Sequence, residues 1–268
     1  MVETDLDAAG LFRAGKLAEA IAAATAAVKA APADLGRRVL LAELLLFSGN
    51  LERADVILDA ASQVDPSALL VVSEFRQLLR AETARRQLYR DGRVPEFLGE
   101  PEPTEQASLA ALVALRAGDA EEAKAKAEEA ETLRPRVPGR AGDAAFDDFR
   151  DADDLHPGFI ETLTSTGKYY WVPLSRIESM LFHPPKRPRD LVWRRCSMSV
   201  SNGSDGDVYI PVTYFADADT TDDVHRLGRE TSWTDEADGP VRGVGQRVFL
   251  IGEEAVGIMD IESIEFQQ

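Results

Sequence analysis

The segment GKLAEAIAAATAAVKAAP, residues 15–32, determines the architecture of the first half of the chain, because its pattern occurs three times in the sequence. The glycine, the small residue and the proline of this stretch recur 34 residues later, and the third copy follows 69 residues after the second. The equivalent positions are Gly15, Gly49 and Gly118; Ala20, Ala54 and Ala123; and Pro32, Pro66 and Pro135. Three copies on one period predict a protein built from repeated units.

The period resembles that of the tetratricopeptide repeat, which is a helix-turn-helix unit. A glycine between the two helices can adopt the left-handed conformation that ends the first, and a proline cannot continue the second. Alanine at the small position lets the two helices approach closely. Because one unit cannot bury its apolar face alone, we expect the units to stack.

The helices predicted from this pattern begin with residues 1–14, where Leu6, Leu11 and Phe12 are the apolar positions. They continue with residues 17–30, 37–47 and 51–64. Residues 67–89 predict one long helix without the glycine that the period requires at position 83, so this copy is degenerate. The repeat resumes at residues 108–135.

Residues 136–142, RVPGRAG, are rich in proline and glycine. We interpret this segment as a domain boundary. The sequence thus predicts a helical repeat domain over residues 1–137 and a mainly antiparallel β domain with a short helix over residues 143–268. Phe159 and Leu163 predict one face of that helix. Beyond Gly167, β-branched and aromatic runs bounded by turns predict five or six strands, and Asn202-Gly203 predicts a hairpin.

The chain of 268 residues carries a net charge of −17, and residues 141–268 hold 24 acidic and 12 basic side chains. This charge has the wrong sign for binding nucleic acid or an anionic membrane surface. No apolar run is long enough to span a membrane, and the first residues do not resemble a secretory signal, so a bacterial cytoplasmic location is the expectation. Cys196 is the single cysteine, which excludes an internal disulfide and predicts a buried apolar residue.

Few residues suggest chemistry. His156, His183 and His225 lack metal-ligand spacing, and the acidic runs at 151–154 and 217–223 lack the glycine and glutamate of a calcium loop. Gly243-Val244-Gly245 precedes a strand, which favours a turn over a phosphate loop. We therefore predict no cofactor and no enzyme, and keep one alternative, in which Asp151 and Asp153 act as acid and base. The tryptophans and tyrosines indicate core packing more than a recognition surface, and Arg229 and Arg247 are predicted to pair with acids of their own domain.

The second half of the chain resembles the ImpE family, also called TagJ, which are accessory proteins of bacterial type VI secretion. The resemblance extends to Pro95-Glu96-Phe97-Leu98 in the helical half. It rests on an ordered series of segments: Asp151-Ala152-Asp153, Gly167 with Tyr169-Tyr170-Trp171-Val172-Pro173, Arg189-Asp190-Leu191-Val192-Trp193, Ile210-Pro211 with Tyr214, residues 226–233 (RLGRETSW) and residues 243–247 (GVGQR). The chain departs from the family pattern at Asp154, Leu155 and Thr213.

The resemblance implies a non-enzymatic cytoplasmic protein that binds a helix of the small subunit of the contractile sheath and assists the AAA+ unfoldase that disassembles the sheath. Stacked helix pairs form a groove that accepts an amphipathic helix. Five apolar positions on the first helices are candidates for lining it, although repeat core is the stronger interpretation: Phe12, Val39, Leu46, Leu112 and Leu115. A general repeat scaffold or chaperone adaptor outside secretion remains the alternative.

Overall fold

The computed structural model describes residues 7–64, 69–203, 205–218, 220–235, 237 and 239–267, so Leu6 and Pro66 of the predicted repeats lie outside it. The described residues form eight α-helices, of which the first seven lie within residues 8–133. They are α1 (Ala8–Arg13), α2 (Leu17–Ala30), α3 (Leu35–Phe47), α4 (Leu51–Val64), α5 (Leu69–Asp91), α6 (Pro103–Ala117), α7 (Ala120–Leu133) and α8 (Asp223–Arg226).

Three helix pairs repeat the same local structure, as the period predicts. Gly15, Gly49 and Gly118 separate the two helices of each pair, with φ of 80°, 75° and 77°. In this left-handed region glycine is favoured because it has no Cβ to clash with the backbone. The small positions Ala20, Ala54 and Ala123 each have 0% exposed surface, which shows that they lie where the two helices meet.

The long helix α5 replaces the helix pair that the period would place next. Its 23 residues run without interruption through position 83, where a threonine stands in place of glycine. Thr83 donates its hydroxyl to the Leu79 carbonyl one turn earlier, as threonine in a continuous helix does. The prediction of one long helix is confirmed over the described residues.

The strands form one large sheet and two small ones. Their bounds are β1 (Glu96–Phe97), β2 (Gly139–Ala141), β3 (Ala144–Phe146), β4 (Phe149–Asp151), β5 (Phe159–Thr164), β6 (Tyr169–Pro173), β7 (Ile177–Phe182), β8 (Trp193–Val200), β9 (Gly206–Pro211), β10 (Thr231–Trp233), β11 (Gly243–Gly245), β12 (Val248–Ile251), β13 (Glu254–Gly257) and β14 (Ser263–Phe266). The large sheet has the order β1-β6-β5-β9-β8-β7-β14-β2-β3, with β13-β12-β4 and β10-β11 beside it. Only β1 pairs in parallel, so the predicted mainly antiparallel domain is confirmed.

The short helix predicted at Phe159 and Leu163 is wrong, because these residues belong to β5. Residues 159–163 are buried on both faces of the strand, so its pattern of apolar residues lacks the alternation that would have identified it. The hairpin prediction is confirmed: β8 pairs with β9 across a turn in which Asn202 has φ of 54°. Cys196 is buried in β8, and burial raises the pKa of its thiol to about 12.

Helix α5 packs between the repeats and the sheet. On one side, Phe75 and Leu78 join a cluster of the first four helices that also includes Trp193 and Tyr209 of the sheet. Farther along, Leu88 packs in a second cluster with α6, α7 and Trp171. The helical half and the sheet half of the chain therefore share their apolar cores.

Candidate functional site

Helix α5 packs a row of polar side chains against the sheet. Glu82, Arg85 and Tyr89 follow one another at three- and four-residue spacing, which places them on one face of the helix. The strand opposite is β5, where Glu161 stands between Phe159 and Leu163 and has 0% exposed surface. Because successive strand residues alternate between faces, Glu161 points to the same side as those two residues.

Glu161 is the centre of a buried ionic cluster, which we define as Arg85, Asp151, Glu161 and Arg247 with their tyrosine partners. Arg85 binds Glu161 in a forked geometry, with Nε 3.0 Å from Oε1 and Nη2 3.1 Å from Oε2. Arg247 Nη2 donates to the same Oε2. Tyr89 and Tyr169 donate their hydroxyls to Oε1 at 2.9 Å and 2.5 Å. A single carboxylate thus accepts from two guanidinium groups and two phenols.

The pKa values of the two buried carboxylates, Glu161 and Asp151, are shifted in opposite directions. Burial alone would raise the pKa of Glu161, but the charges of Arg85 and Arg247 outweigh burial and hold that pKa well below its usual range. Burial raises the pKa of Asp151, and the charge of Arg247 only partly offsets it. Burial and the charge of Glu161 raise the pKa values of Tyr89 and Tyr169, so both phenols stay protonated as donors.

Asp151 and Asp153 organise the loop after β4. Arg247 Nη1 lies 2.6 Å from Asp151 Oδ2, and Asp151 Oδ1 accepts from the Tyr214 hydroxyl and from the backbone N–H of Asp153. Asp153 accepts from the backbone N–H groups of Leu155 and Gly243, at 2.8 Å each. All four carboxylate oxygens therefore accept hydrogen bonds from the protein, and both side chains are buried.

The cluster joins parts of the chain that are far apart in sequence. Arg85 also donates to the Thr213 carbonyl, and Trp193 Nε1 donates to Glu82 Oε2 at 3.2 Å. The predicted pairing of Arg247 with acids of its own half is confirmed. Arg229 instead donates to the carbonyls of Phe12 and Arg13 at the end of α1, so it ties the second half of the chain to the first repeat.

A cleft of about 410 Å³ lies beside the cluster, between α6 and the loops of the sheet half. We call it the α6 cleft. Tyr89 stacks on Phe215 at one wall, with ring centroids 4.4 Å apart. The other lining residues are Leu112, Leu115, Arg116, Asp153, Leu155, His156, Ala216, Thr234, Arg242, Gly243 and Val244.

The five apolar positions predicted to line a groove lie in two places. Phe12 and Leu46 are buried in the cluster of the first helices, and Val39 packs against it half-buried. Leu112 and Leu115 line the α6 cleft, where Leu112 is buried and Leu115 half-buried. A partner-binding role for the five stays a prediction.

The sequence did not identify Arg85, His156 or Glu161 as members of the site. The sequence spacing of His156 indicates no metal site and no partner, whereas its Nε2 lies 2.6 Å from the Tyr89 hydroxyl. The available signal was Glu161 itself, a charged residue within the apolar run FIETL. A charged residue in a strand buried on both faces requires partners. Among the described residues, no group of histidine, cysteine and acidic side chains has the arrangement of a metal site.

Comparison with known proteins identifies the family. A model described as ImpE protein matches residues 143–265, and a tetratricopeptide repeat model matches residues 11–73. The chain is 32% identical over 257 residues to the type VI secretion system accessory component TagJ of Pseudomonas aeruginosa, covering 96% of this chain and 90% of that protein. The chain belongs to the ImpE family. An X-ray structure of a Vibrio parahaemolyticus protein superposes on this chain with a TM-score of 0.91 at 29% identity, covering 97% of each chain, so the two proteins share one fold over nearly their full lengths.

The three departures from the ImpE pattern have structural roles here. Asp154 Oδ2 accepts from the backbone N–H of Val241 and Oδ1 pairs with Arg150. Leu155 lines the α6 cleft, and Thr213 forms an isolated β-bridge with Gln246.

None of the described helices is both long enough and apolar enough to cross a membrane.

Proposed function

We propose that this ImpE protein is a non-enzymatic accessory protein of a bacterial type VI secretion system, acting as an adaptor in the bacterial cytoplasm. The observation that carries the proposal is the 32% identity with TagJ, because it extends over 96% of the chain. An alignment of that length includes both the repeats and the sheet half.

We further propose that the adaptor binds a helix of the small sheath subunit, and through it assists the AAA+ unfoldase that recycles contracted sheath. The α6 cleft is the place where the described residues support such a contact. Leu112 and Leu115 lie on the first helix of the third repeat pair, one of the positions that repeat proteins use for partner helices. Phe12, Val39 and Leu46 are better explained as repeat core.

The buried ionic cluster supports an adaptor more than an enzyme. Asp151 and Asp153, the candidate acid and base, are 0% and 2% exposed. Their oxygens already accept from Arg247, Tyr214 and backbone N–H groups, so both carboxylates hold the surrounding loops in place. The role we assign to the cluster is to hold α5, and with it the wall of the α6 cleft, against the sheet.

Co-purification with the small sheath subunit of the same organism tests the proposal. The tagged full-length chain is expected to retain that subunit from a lysate, and the purified pair is expected to form a complex of defined stoichiometry. A Leu115→Asp variant, which places a charge in the cleft, is expected to lose the subunit, whereas Leu133→Asp, at an exposed position on α7, is expected to keep it. Absence of any complex with the purified subunit rejects the proposed function and leaves the general scaffold as the better interpretation.

A further inference from the structure

The α6 cleft contains two buried polar atoms without a hydrogen-bond partner among the described residues. They are Nε of Arg242 and Nδ1 of His156. His156 has 2% exposed surface, and its Nδ1 lies 3.3 Å from Asp153 Oδ1 without hydrogen-bond geometry. Buried polar groups in folded proteins are almost always satisfied, so Arg242 Nε is a donor that a polar occupant of this cleft could engage.

The hydrogen bonds around His156 show why Nδ1 lacks a partner. The Tyr89 hydroxyl donates to Glu161, so its oxygen is free to accept from His156 Nε2. Both oxygens of Asp153 already accept backbone N–H groups. With its proton on Nε2, the imidazole offers Nδ1 to the cleft side as an acceptor, so the donor toward an acidic group in this cleft is Arg242.

The charged groups in the cleft wall are mostly basic. Arg116 and Arg242 line it, and neither forms an ion pair with an acidic side chain in the described parts of the chain. Arg116 uses Nη1 to cap the Leu88 carbonyl at the end of α5 and is otherwise exposed. Asp153, the one acid in the wall, is buried, and both its oxygens accept backbone N–H groups. On a chain with a net charge of −17, this cleft is locally cationic.

The remainder of the lining is apolar. Leu115, Phe215 and Val244 are half-buried, so each keeps surface that an occupant would cover. A volume of about 410 Å³ accommodates side chains of a docked segment but not a folded domain. The combination of an apolar wall with arginine donors matches an amphipathic segment that presents an apolar side chain beside an acidic one.

We infer that the α6 cleft binds an acidic amphipathic segment of the protein partner, with a carboxylate of that segment accepting from Arg242 Nε and an adjacent apolar side chain packing on Leu115 and Phe215. The inference rests on the proposed function, since it describes how the adaptor recognises the sheath subunit. Arg242 supplies the directional bond, because its Nε is the buried donor without a partner. Arg116 supplies attraction at the exposed side of the cleft.

The test measures binding of the purified small sheath subunit to the full-length chain by isothermal titration calorimetry. Arg242→Gln is expected to weaken binding about tenfold, since it removes a charge-assisted hydrogen bond. Arg242→Lys keeps the charge and loses the Nε donor, so an intermediate loss is expected. Arg140→Gln is the matched control, because Arg140 is exposed on β2, outside the cleft, and this change is expected to leave the affinity unchanged.

Salt dependence provides a second measurement that needs no variant. The wild-type affinity is expected to fall between about 50 mM and about 500 mM NaCl, because the ions screen the arginine–carboxylate attraction. Equal affinities of wild type and folded Arg242→Gln, or a wild-type affinity that does not change with salt, overturn the inference while leaving the proposed function in place. Failure of the wild-type chain to bind the subunit under any condition overturns both.

Discussion

Replacing Arg247 with methionine is expected to destabilise the fold strongly. The guanidinium has 0% exposed surface and contacts two buried carboxylates, Asp151 through Nη1 and Glu161 through Nη2. Removing one partner of a buried ion pair costs about 3–5 kcal/mol, because the remaining charge is left uncompensated. Glu161 keeps Arg85, so most of the loss is expected at Asp151.

The pH dependence of this loss follows from Asp151. The pKa of its carboxyl is already raised by burial, with Arg247 lowering it, so the variant should raise it further. A raised folded-state pKa favours the native state at low pH and disfavours it as pH rises through that pKa. The destabilisation by Arg247→Met is therefore expected to be about 4 kcal/mol near pH 8 and smaller near pH 5.

The assay is equilibrium unfolding in urea followed by tryptophan fluorescence, with the free energy of unfolding from linear extrapolation. The melting temperature is expected to fall by about 8–16 °C near pH 8, since a chain of this size loses about 2–4 °C per kcal/mol. Arg140→Met at the exposed surface is the control, and adding Asp151→Asn to Arg247→Met is expected to recover part of the loss. A loss below about 1 kcal/mol near pH 8 would refute the assignment of the cluster as the link between α5 and the sheet.

Two further predictions concern stability. Burial raises the pKa of Glu43 from 4.5 to about 7, so the stability of the wild type should decline as pH rises through that window. Glu43→Gln should flatten this decline and add about 3 kcal/mol to the free energy of unfolding near pH 8, measured by urea titration. Equal slopes of stability against pH in the variant and the wild type would contradict this. In thermal melts, Gly49→Ala should cost about 2–3 kcal/mol of stability and Gly118→Ala about 1 kcal/mol. Both glycines have positive φ, but only a Cβ added at Gly49 would meet a neighbour, 2.9 Å from the Cβ of Ala218. Equal costs for the two variants would argue against that contact.

The repeat could be predicted from the sequence because its rules are local. A glycine such as Gly118 ends a helix by its own backbone freedom, and an alanine such as Ala123 marks where the next helix approaches. The break in the period at Thr83 correctly indicated a continuous helix. The division at residues 136–142 stays a prediction, and β2 begins inside that range, at Gly139.

The candidate site could not be predicted in the same way, because its contacts join distant residues. Arg85 and Glu161 are 76 residues apart, and Arg247 is 86 residues from Glu161. The sequence shows that Arg85 and Glu161 are charged but does not indicate that they pair. The residues of β5 predicted a helix because burial on both faces of the strand removes the alternation of apolar and polar residues. Arg247 was the exception, since its place beside a glycine turn and an apolar strand indicated an internal ion pair.

Hydrogen exchange of the full-length chain with and without the small sheath subunit shows whether that subunit binds at the α6 cleft. We expect the subunit to protect backbone amides of α6, residues 215–216 and residues 242–244, which surround the α6 cleft, and to leave exchange on the exposed face of β7 and β8 unchanged. Protection confined to another face of the molecule, or no protection at concentrations where the subunit is bound, would contradict it.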